Sequence, residues 1–583
     1  MENHKILVVQ SDKTILVESN SEFYPDLRKE LTSFAELVKT PEYYHTYLIT
    51  KLSLWNAASI GKKSYEIIDL LNKYSKFPVP ASIQFEIQTT INSYGSCVLE
   101  KNIHSNNLIF RISDSTILEY LKNDSFFKTQ NIEFINNEYA FIPYSLRGSL
   151  KQHLVNLGFP IKDNAGYTEG SAIEIELKGL NDSRDEKPFS LRTYQREAID
   201  SFYQDGSPDG GSGTILLPCG SGKTIIGLGV IAKIKQACLI ICSNSVSVKQ
   251  WINELLEKTS IDKSIIGEYS SDRKEIKHLT LTTYQMLTYH KKEKAMDDSE
   301  SDSDLNGQEI VSDNDQYDFP HFNIFNEIPW GLIIYDEVHL LPAPIFRITA
   351  NLQSIRRLGL TATLIREDGR ENDVFSLIGP LRYTVPWTIL EQQGWIAKAY
   401  CKEIRVPFDQ DQKLKYLEAP KRIKYRVSAE NPKKLDILDK LLENHRNDSV
   451  LIIAQYIDQL VTISKRLNSL PVISGKTPTS KRIELYNKFE SGEISCLIVS
   501  KVANYAVNLP KANVLIQLSG TFGSRQEEAQ RLGRILRPNP EYQKESFFYT
   551  LVTKESIDAE YASHRQLFLV EQGYNYLIQE EFT

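Results

Sequence analysis

From Leu191 onward the chain alternates short apolar runs with helix-length stretches. Gly213–Leu217, Cys238–Cys242, Leu279–Thr282 and Leu332–Tyr335 form one series. A second begins near Lys433 and contains SVLIIAQY, ISCLIVSK, ANVLIQLS and SFFYTLVT. Runs that are apolar at successive positions suit strands buried on both faces, and helix-length connections let such strands lie parallel. The pattern therefore predicts two α/β units in tandem. Residues 401–430, including KLKYLEAPKRIKYRV, are basic and aromatic and fit neither unit. They suit a solvated helical connector, or an insert that meets a phosphate backbone and stacked bases. Upstream the pattern changes. LVVQSDKTILVES alternates as a hairpin does, SYEIIDLLNKYS has helical spacing, and Pro78 and Pro80 break the next segment. The polar segment GLNDSRDEKPFS, residues 179–190, is expected to be a linker. The expected divisions are a mixed α/β module at 1–185, a first unit at 186–395, an insertion at 396–432 and a second unit at 433–583.

Composition narrows the class. The 583 residues suffice for about three to four domains. With 41% hydrophobic and 25% charged residues, the chain suits a globular protein. No apolar stretch approaches the roughly 18 residues that span a membrane. The N-terminus lacks the layout of a signal peptide, so an intracellular protein is expected. The six cysteines form no CxxC pair, and buried reduced thiols are expected rather than zinc or disulfides. The net charge of −7 argues at first against nucleic acid. Yet residues 297–318 hold nine acidic residues and no Lys or Arg, and without them the net charge becomes +2. This Ser/Asp-rich insert, within about 295–319, cannot bury a core and is expected to be disordered.

The stretch TILLPCGSGKTIIGLGVIA, residues 214–232, carries the clearest chemistry. An apolar strand leads into Pro218, Cys219, Gly220, Ser221 and Gly222, and Lys223 and Thr224 open a helix. Loop N–H groups and the helix dipole favour phosphate, Lys223 reaches the β- and γ-phosphates, and the Thr224 hydroxyl suits Mg²⁺. The full pattern asks for glycine five residues before Gly222, where Leu217 stands. In LIIYDEVHL, residues 332–340, a buried strand runs directly into Asp336 and Glu337. The C-terminal edge of a parallel sheet is where such folds bind ligands. Asp336 is assigned to Mg²⁺, and Glu337 to orienting and deprotonating the attacking water. Ahead of the loop lies LRTYQ, where Gln195 has the donor and acceptor to pair with adenine and Arg192 lies nearby. The hydroxyls of LTAT, at Thr361 and Thr363, suit a link between the nucleotide site and the second unit. In QEEAQRLGRILRP, Gln530, Arg534 and Arg537 share a helical face. Two arginines reaching a γ-phosphate from an opposing domain stabilise transition-state charge.

Together LRTYQ, LLPCGSGKT, DEVH, LTAT and QRLGRILRP, in that order, resemble the motif set of superfamily 2 helicases. CSNSVSVKQW, DEVHLLPAPIFR, GLTATLIREDGR, GWIAKAYCKEIRVP, SKVANYAVNLPKANVLIQLS and FFYTLVTKESIDAEYASHRQLFLVEQGY narrow this. They are similar to the XPB branch, the DNA translocases of the transcription and repair factor TFIIH with their archaeal and bacterial relatives. LSLWNAASIG near the N-terminus is similar too, so the likeness runs from about residue 5 to 580.

The resemblance implies two tandem RecA-like P-loop domains that use ATP and Mg²⁺ as a 3′→5′ DNA helicase or double-stranded DNA translocase. It implies a damage-recognition-like N-terminal domain and a thumb-like insertion near 401–430. It matches Arg366, Glu367 and Asp368 to the branch's strand-opening RED motif. It places Ser243, Lys249, Thr282, Thr283 and Ser500–Asn508 near the DNA backbone. DNA and transcription-complex proteins are the expected partners. A promoter-remodelling subunit without processive unwinding, or an RNA helicase, are the alternatives. Larger eukaryotic members extend at both ends, so segments for docking a full TFIIH are expected to be missing. A composition rich in Ile, Asn, Lys and Tyr points to an AT-rich genome, microbial, viral or that of a yeast cytoplasmic linear (killer) plasmid. The plasmid is the origin favoured, with a cytoplasmic location and the nucleus as the alternative.

Overall fold

The computed structural model describes residues 5–580, apart from 40–42, 104, 106, 179–188, 208–209, 219, 272, 290–320, 343–344, 346–354, 363–370, 386, 501–511, 521–532, 534–544, 572–573 and 575. The acidic insert therefore lies outside the described residues.

The apolar runs form two seven-stranded sheets in which every pairing is parallel. In the first, the spatial order is Ile266–Tyr269, Leu279–Thr283, Cys238–Cys242, Leu332–Asp336, Arg356–Thr361, Ser212–Leu216, Leu381–Thr384. Its central strands are buried on both faces, which is why their sequences do not alternate. The helices Thr193–Tyr203, Lys223–Ile234 and Ser245–Lys258 pack together beside it. Gly227 and Gly229 allow their close approach. A Cβ at Gly227 would stand 2.3 Å from Trp251, and one at Gly229 2.2 Å from Ile199.

The second sheet has the order Val472–Ile473, Cys496–Ser500, Val450–Ala454, Val514–Gln517, Ser546–Thr553, Ala399–Val406, Tyr576–Glu580. Strand Ala399–Val406 corrects the expected boundary. It pairs along its length with Ser546–Thr553, so the second unit begins near residue 396 rather than at 433. AYCKEIRV hides this because its burial alternates over its first half and its polar residues resemble the adjoining basic segment. That segment contributes two helices, Gln410–Glu418 and Lys421–Ala429.

The N-terminal region holds two sheets rather than one. Leu7–Val9 and Thr14–Glu18 form the expected hairpin within a four-stranded antiparallel sheet, and Ser64–Tyr74 forms the expected helix. A five-stranded sheet with its own core occupies residues 97–164. Residues 171–178 then run along the first motor unit. Ser171 N donates to Pro329 O, Ala237 N to Ser171 O, and Ile173 N to Lys235 O. The first N-terminal unit touches both motor units, one through its helix Lys51–Ser59, which carries Trp55, and the other through the core of its sheet. Trp55 packs on Phe375 at 6.1 Å between ring centroids, and Val570 of helix Ile557–Glu571 is buried in the sheet's core.

Candidate nucleotide site

The phosphate loop lies between strand Ser212–Leu216 and helix Lys223–Ile234. Gly220 and Gly222 both have φ of +81°, a conformation that side chains disfavour. A Cβ at Gly222 would also lie 2.8 Å from Gln195 Nε2. LRTYQ supports the loop directly. The Tyr194 hydroxyl donates to Ser221 O, and Gln195 Nε2 donates to the same carbonyl at 3.3 Å. Gln195 Oε1 accepts from Arg192 N at 3.0 Å, closing the first turn of helix Thr193–Tyr203. The Arg192 guanidinium stacks over Trp395, 4.5 Å from the ring centroid. Ser221 is buried, and its hydroxyl donates to Pro218 O at 2.6 Å. Lys223 and Thr224 occupy the first turn of the helix, where free N–H groups and the dipole favour an anion. Cys219 lies outside the described residues.

Three adjacent strands end at one rim. Leu216 pairs with Thr361, and Asp336 with Leu360. This register sets the phosphate loop, Asp336–Glu337 and LTAT side by side. Lys223 Nζ lies 3.1 Å from Glu337 Oε1. The Trp251 indole N–H donates to Asp336 Oδ2 at 3.0 Å. Burial, and then the neighbouring Glu337, push the Asp336 carboxyl above its ordinary range. Burial pushes Glu337 up as well, but Lys223 and His339 outweigh it and hold Glu337 below the ordinary value. Two adjacent carboxylates thus differ in proton affinity, Asp336 raised by burial and Glu337 lowered by Lys223 and His339, the reverse of what a metal ligand beside a base needs while neither ATP nor its cation is bound. Glu337 has φ of +53°, in the left-handed region where a side chain costs about 1–3 kcal/mol. That backbone turns its carboxylate toward Lys223. His339 Nδ1 lies 2.6 Å from Thr361 Oγ1 and 3.6 Å from Glu337 Oε2, linking the carboxylates to LTAT.

The other expected residues divide. Ser243 follows strand Cys238–Cys242, and its hydroxyl accepts from Asn244 Nδ2 at 3.0 Å. Asn244 caps helix Ser245–Lys258, and Lys249 is exposed on it. Thr282 is buried, while Thr283 Oγ1 accepts from Met286 N at 3.1 Å. Ser500 is buried at the end of strand Cys496–Ser500 in the second unit. Thr363, Arg366, Glu367, Asp368, Gln530, Arg534 and Arg537 lie outside the described residues. Sequence reasoning missed Trp251, Tyr194, Trp395 and His339 as parts of the site. Trp251 is 85 residues from Asp336, and no spacing rule links them. His339 sits inside DEVH itself, two residues from Glu337.

The residues fit a nucleotide and its metal ion. The loop offers N–H donors, Lys223 a cation, and Thr224 and Asp336 hard oxygen ligands of the kind Mg²⁺ takes. No helix among the described residues is long and apolar enough to cross a membrane.

Three family models match the chain. They are ERCC3/RAD25/XPB C-terminal helicase at residues 390–583, helicase conserved C-terminal domain at 7–135, and type III restriction enzyme, res subunit, at 188–366. The chain is 44% identical to the DNA 3′-5′ helicase XPB of Mycobacterium tuberculosis, over 98% of this chain and 97% of that one. It is also 44% identical to the DNA 3′-5′ helicase XPB of Kineococcus radiotolerans, over 98% and 96%. A TFIIH helicase/translocase subunit XPB from Encephalitozoon cuniculi is 31% identical over 99% of this chain and 83% of its own length. With the loop, the carboxylate pair and two parallel RecA-like sheets in place, the chain belongs to the XPB family of superfamily 2 helicases.

Proposed function

We propose that this chain is an ATP-dependent DNA helicase and double-stranded DNA translocase of 3′→5′ polarity. The observation that carries it is the Lys223–Glu337 pair at the rim, with Asp336 held by Trp251 beside the phosphate loop. Near-full-length identity to DNA 3′-5′ helicases supports DNA as the substrate. In this reading the loop N–H groups and Lys223 bind the ATP phosphates, and Thr224 and Asp336 hold Mg²⁺. When bound, that ion neutralises charge on the β- and γ-phosphates. The γ-phosphate competes for Lys223, which loosens Glu337 from its partner and frees it to take a proton from water. Gln530, Arg534 and Arg537 complete the site from the second unit, so hydrolysis depends on closure. His339 and Thr361 carry the state of Glu337 toward LTAT. Ser243, Lys249, Thr283 and Ser500 meet the DNA backbone, and Arg366, Glu367 and Asp368 assist strand opening.

A second reading, a promoter-remodelling subunit that turns over ATP without processive unwinding, is favoured by the identity to a TFIIH subunit. Strand displacement on tailed DNA and RNA duplexes, with wild type against Lys223→Ala, separates the readings. DNA-stimulated hydrolysis with displacement is expected. Hydrolysis without displacement favours the remodeller, preference for RNA favours an RNA helicase, and no DNA stimulation overturns both DNA readings. A cytoplasmic location follows if the gene sits on a cytoplasmic linear plasmid, which the AT-rich composition supports. The identity to bacterial proteins supports a microbial chromosome equally.

A further inference from the structure

Trp395 stands apart from the other tryptophans. It is 37% exposed, whereas Trp55, Trp251, Trp330 and Trp387 are at most 2% exposed. An indole is normally highly buried, so one left open beside a ligand site asks for a reason. Its backbone is firmly held. Gly394, with φ of +73°, ends helix Trp387–Gln392. Gly394 N donates to Glu391 O at 2.9 Å, and Trp395 N donates to Leu390 O at 2.8 Å. These two bonds are the pair that closes a helix C-terminus around a glycine. The next residue, Ile396, is buried in the core.

From this turn the indole is linked back to the phosphate loop. The Arg192 guanidinium lies over it, 4.5 Å from the ring centroid. Arg192 Nη1 donates to the Tyr194 hydroxyl at 3.1 Å, and that hydroxyl donates to Ser221 O. Gln195 Nε2 meets the same carbonyl. Among the described residues no carboxylate pairs with the Arg192 guanidinium. A flat cation that is not neutralised attracts the face of an electron-rich ring, and an indole against it extends the stack. Nucleic-acid bases join such stacks readily, because every base has a π-face. The contacts between stack and loop are short, so a nucleotide with its phosphates on the loop reaches the stack with its base.

We infer that Arg192 and Trp395 form the base platform of the ATP site, with the adenine ring as a further layer of the stack, an inference that rests on the ATP reading above. The phosphate loop holds the triphosphate, and the stack tells a nucleotide from a bare polyphosphate. Trp395 lies on the connector between motor strands Leu381–Thr384 and Ala399–Val406. The base therefore touches the segment that joins the two motor units.

Binding of ATP and of inorganic tripolyphosphate to the full chain, each with Mg²⁺, tests this by isothermal titration and by intrinsic tryptophan emission. Wild type is compared with Trp395→Ala and Trp395→Phe. ATP binding is expected to weaken about tenfold or more in Trp395→Ala and to be largely kept in Trp395→Phe, which retains a stacking ring. Tripolyphosphate affinity is expected to stay within about twofold in all three. ATP, but not tripolyphosphate, is expected to change the emission of the exposed indole, and this difference disappears in Trp395→Phe. Unchanged ATP affinity in Trp395→Ala, or ATP and tripolyphosphate weakened alike, overturns the inference, and the indole then only props the connector. DNA-stimulated hydrolysis by wild type is measured alongside. If it is absent while ATP binding depends on Trp395 as expected, the helicase reading fails and the base platform stands.

Discussion

Replacing Trp251 by phenylalanine tests how the metal-binding carboxylate is held. The indole N–H donates to Asp336 Oδ2 at 3.0 Å, and the indole itself is buried against Gly227. Phenylalanine keeps most of the ring contact but removes the donor. A hydrogen bond to a buried charged acceptor is worth about 1.5–3 kcal/mol, and the void left by the smaller ring adds about 1 kcal/mol. If that stabilisation serves to aim Asp336, its loss appears as weaker metal binding, typically 10–100-fold for an outer partner of a ligand. DNA-stimulated ATP hydrolysis across a Mg²⁺ titration reads this directly, with urea unfolding alongside. The apparent Mg²⁺ requirement is expected to rise at least about tenfold while turnover recovers at high Mg²⁺. A normal Mg²⁺ dependence in a variant destabilised by several kcal/mol would refute the reasoning. The indole would then serve packing only.

Four more outcomes can be checked. Gly222→Ala places a Cβ at φ of +81° and 2.8 Å from Gln195 Nε2. At a cost of about 1–3 kcal/mol it should weaken fluorescent-nucleotide binding, and Gln195→Ala in the same chain should restore part of the loss. Thr361→Val removes the partner 2.6 Å from His339 Nδ1. Nucleotide binding should hold while more ATP is hydrolysed per strand displaced, and unchanged coupling would discount the link. Burial first, then Arg28, lowers His45 to about 4. The unfolded chain thus binds the extra proton first, and stability is lost as pH falls from about 6.5 to about 4, by about 3 kcal/mol for this group. His45→Gln should flatten that part of the acid-unfolding curve, and an unaltered slope would contradict it. Deleting 297–318 should leave DNA-stimulated hydrolysis within about twofold, consistent with a segment too polar to build a core.

The two sheets were legible because their strands are buried on both faces and announce themselves as unbroken apolar runs. Strand Ala399–Val406 was missed for the opposite reason: polar residues interrupt it, and Lys402, Glu403 and Arg405 resemble a solvated connector. The N-terminal region was legible only in pieces. Its hairpin and helix are local, whereas its division into two sheets depends on pairings such as Cys97–Ile161 that span more than sixty residues. In the site, Lys223, Asp336 and Glu337 follow from local pattern. The indole on Asp336, the stack of Arg192 on Trp395 and the support of Ser221 by Tyr194 are products of tertiary packing. Gln195 shows the difference most clearly. The sequence suggests an adenine contact, and the fold adds a second task, bracing the loop through Ser221 O.

The first N-terminal unit is moored to the first motor unit through Trp55 of helix Lys51–Ser59 and to the second through Val570, which is buried in its sheet's core. A body fastened to both sides of a moving cleft shares in the displacement. When the motor units swing, one mooring must yield, or the sheet must be carried along as a lever. Fully burying a valine is worth about 1.5–3 kcal/mol, so a ligand that binds the released arrangement about 10–100-fold more tightly is enough to slip that mooring. The N-terminal region is thereby placed to feel each cycle of the motor as a mechanical load.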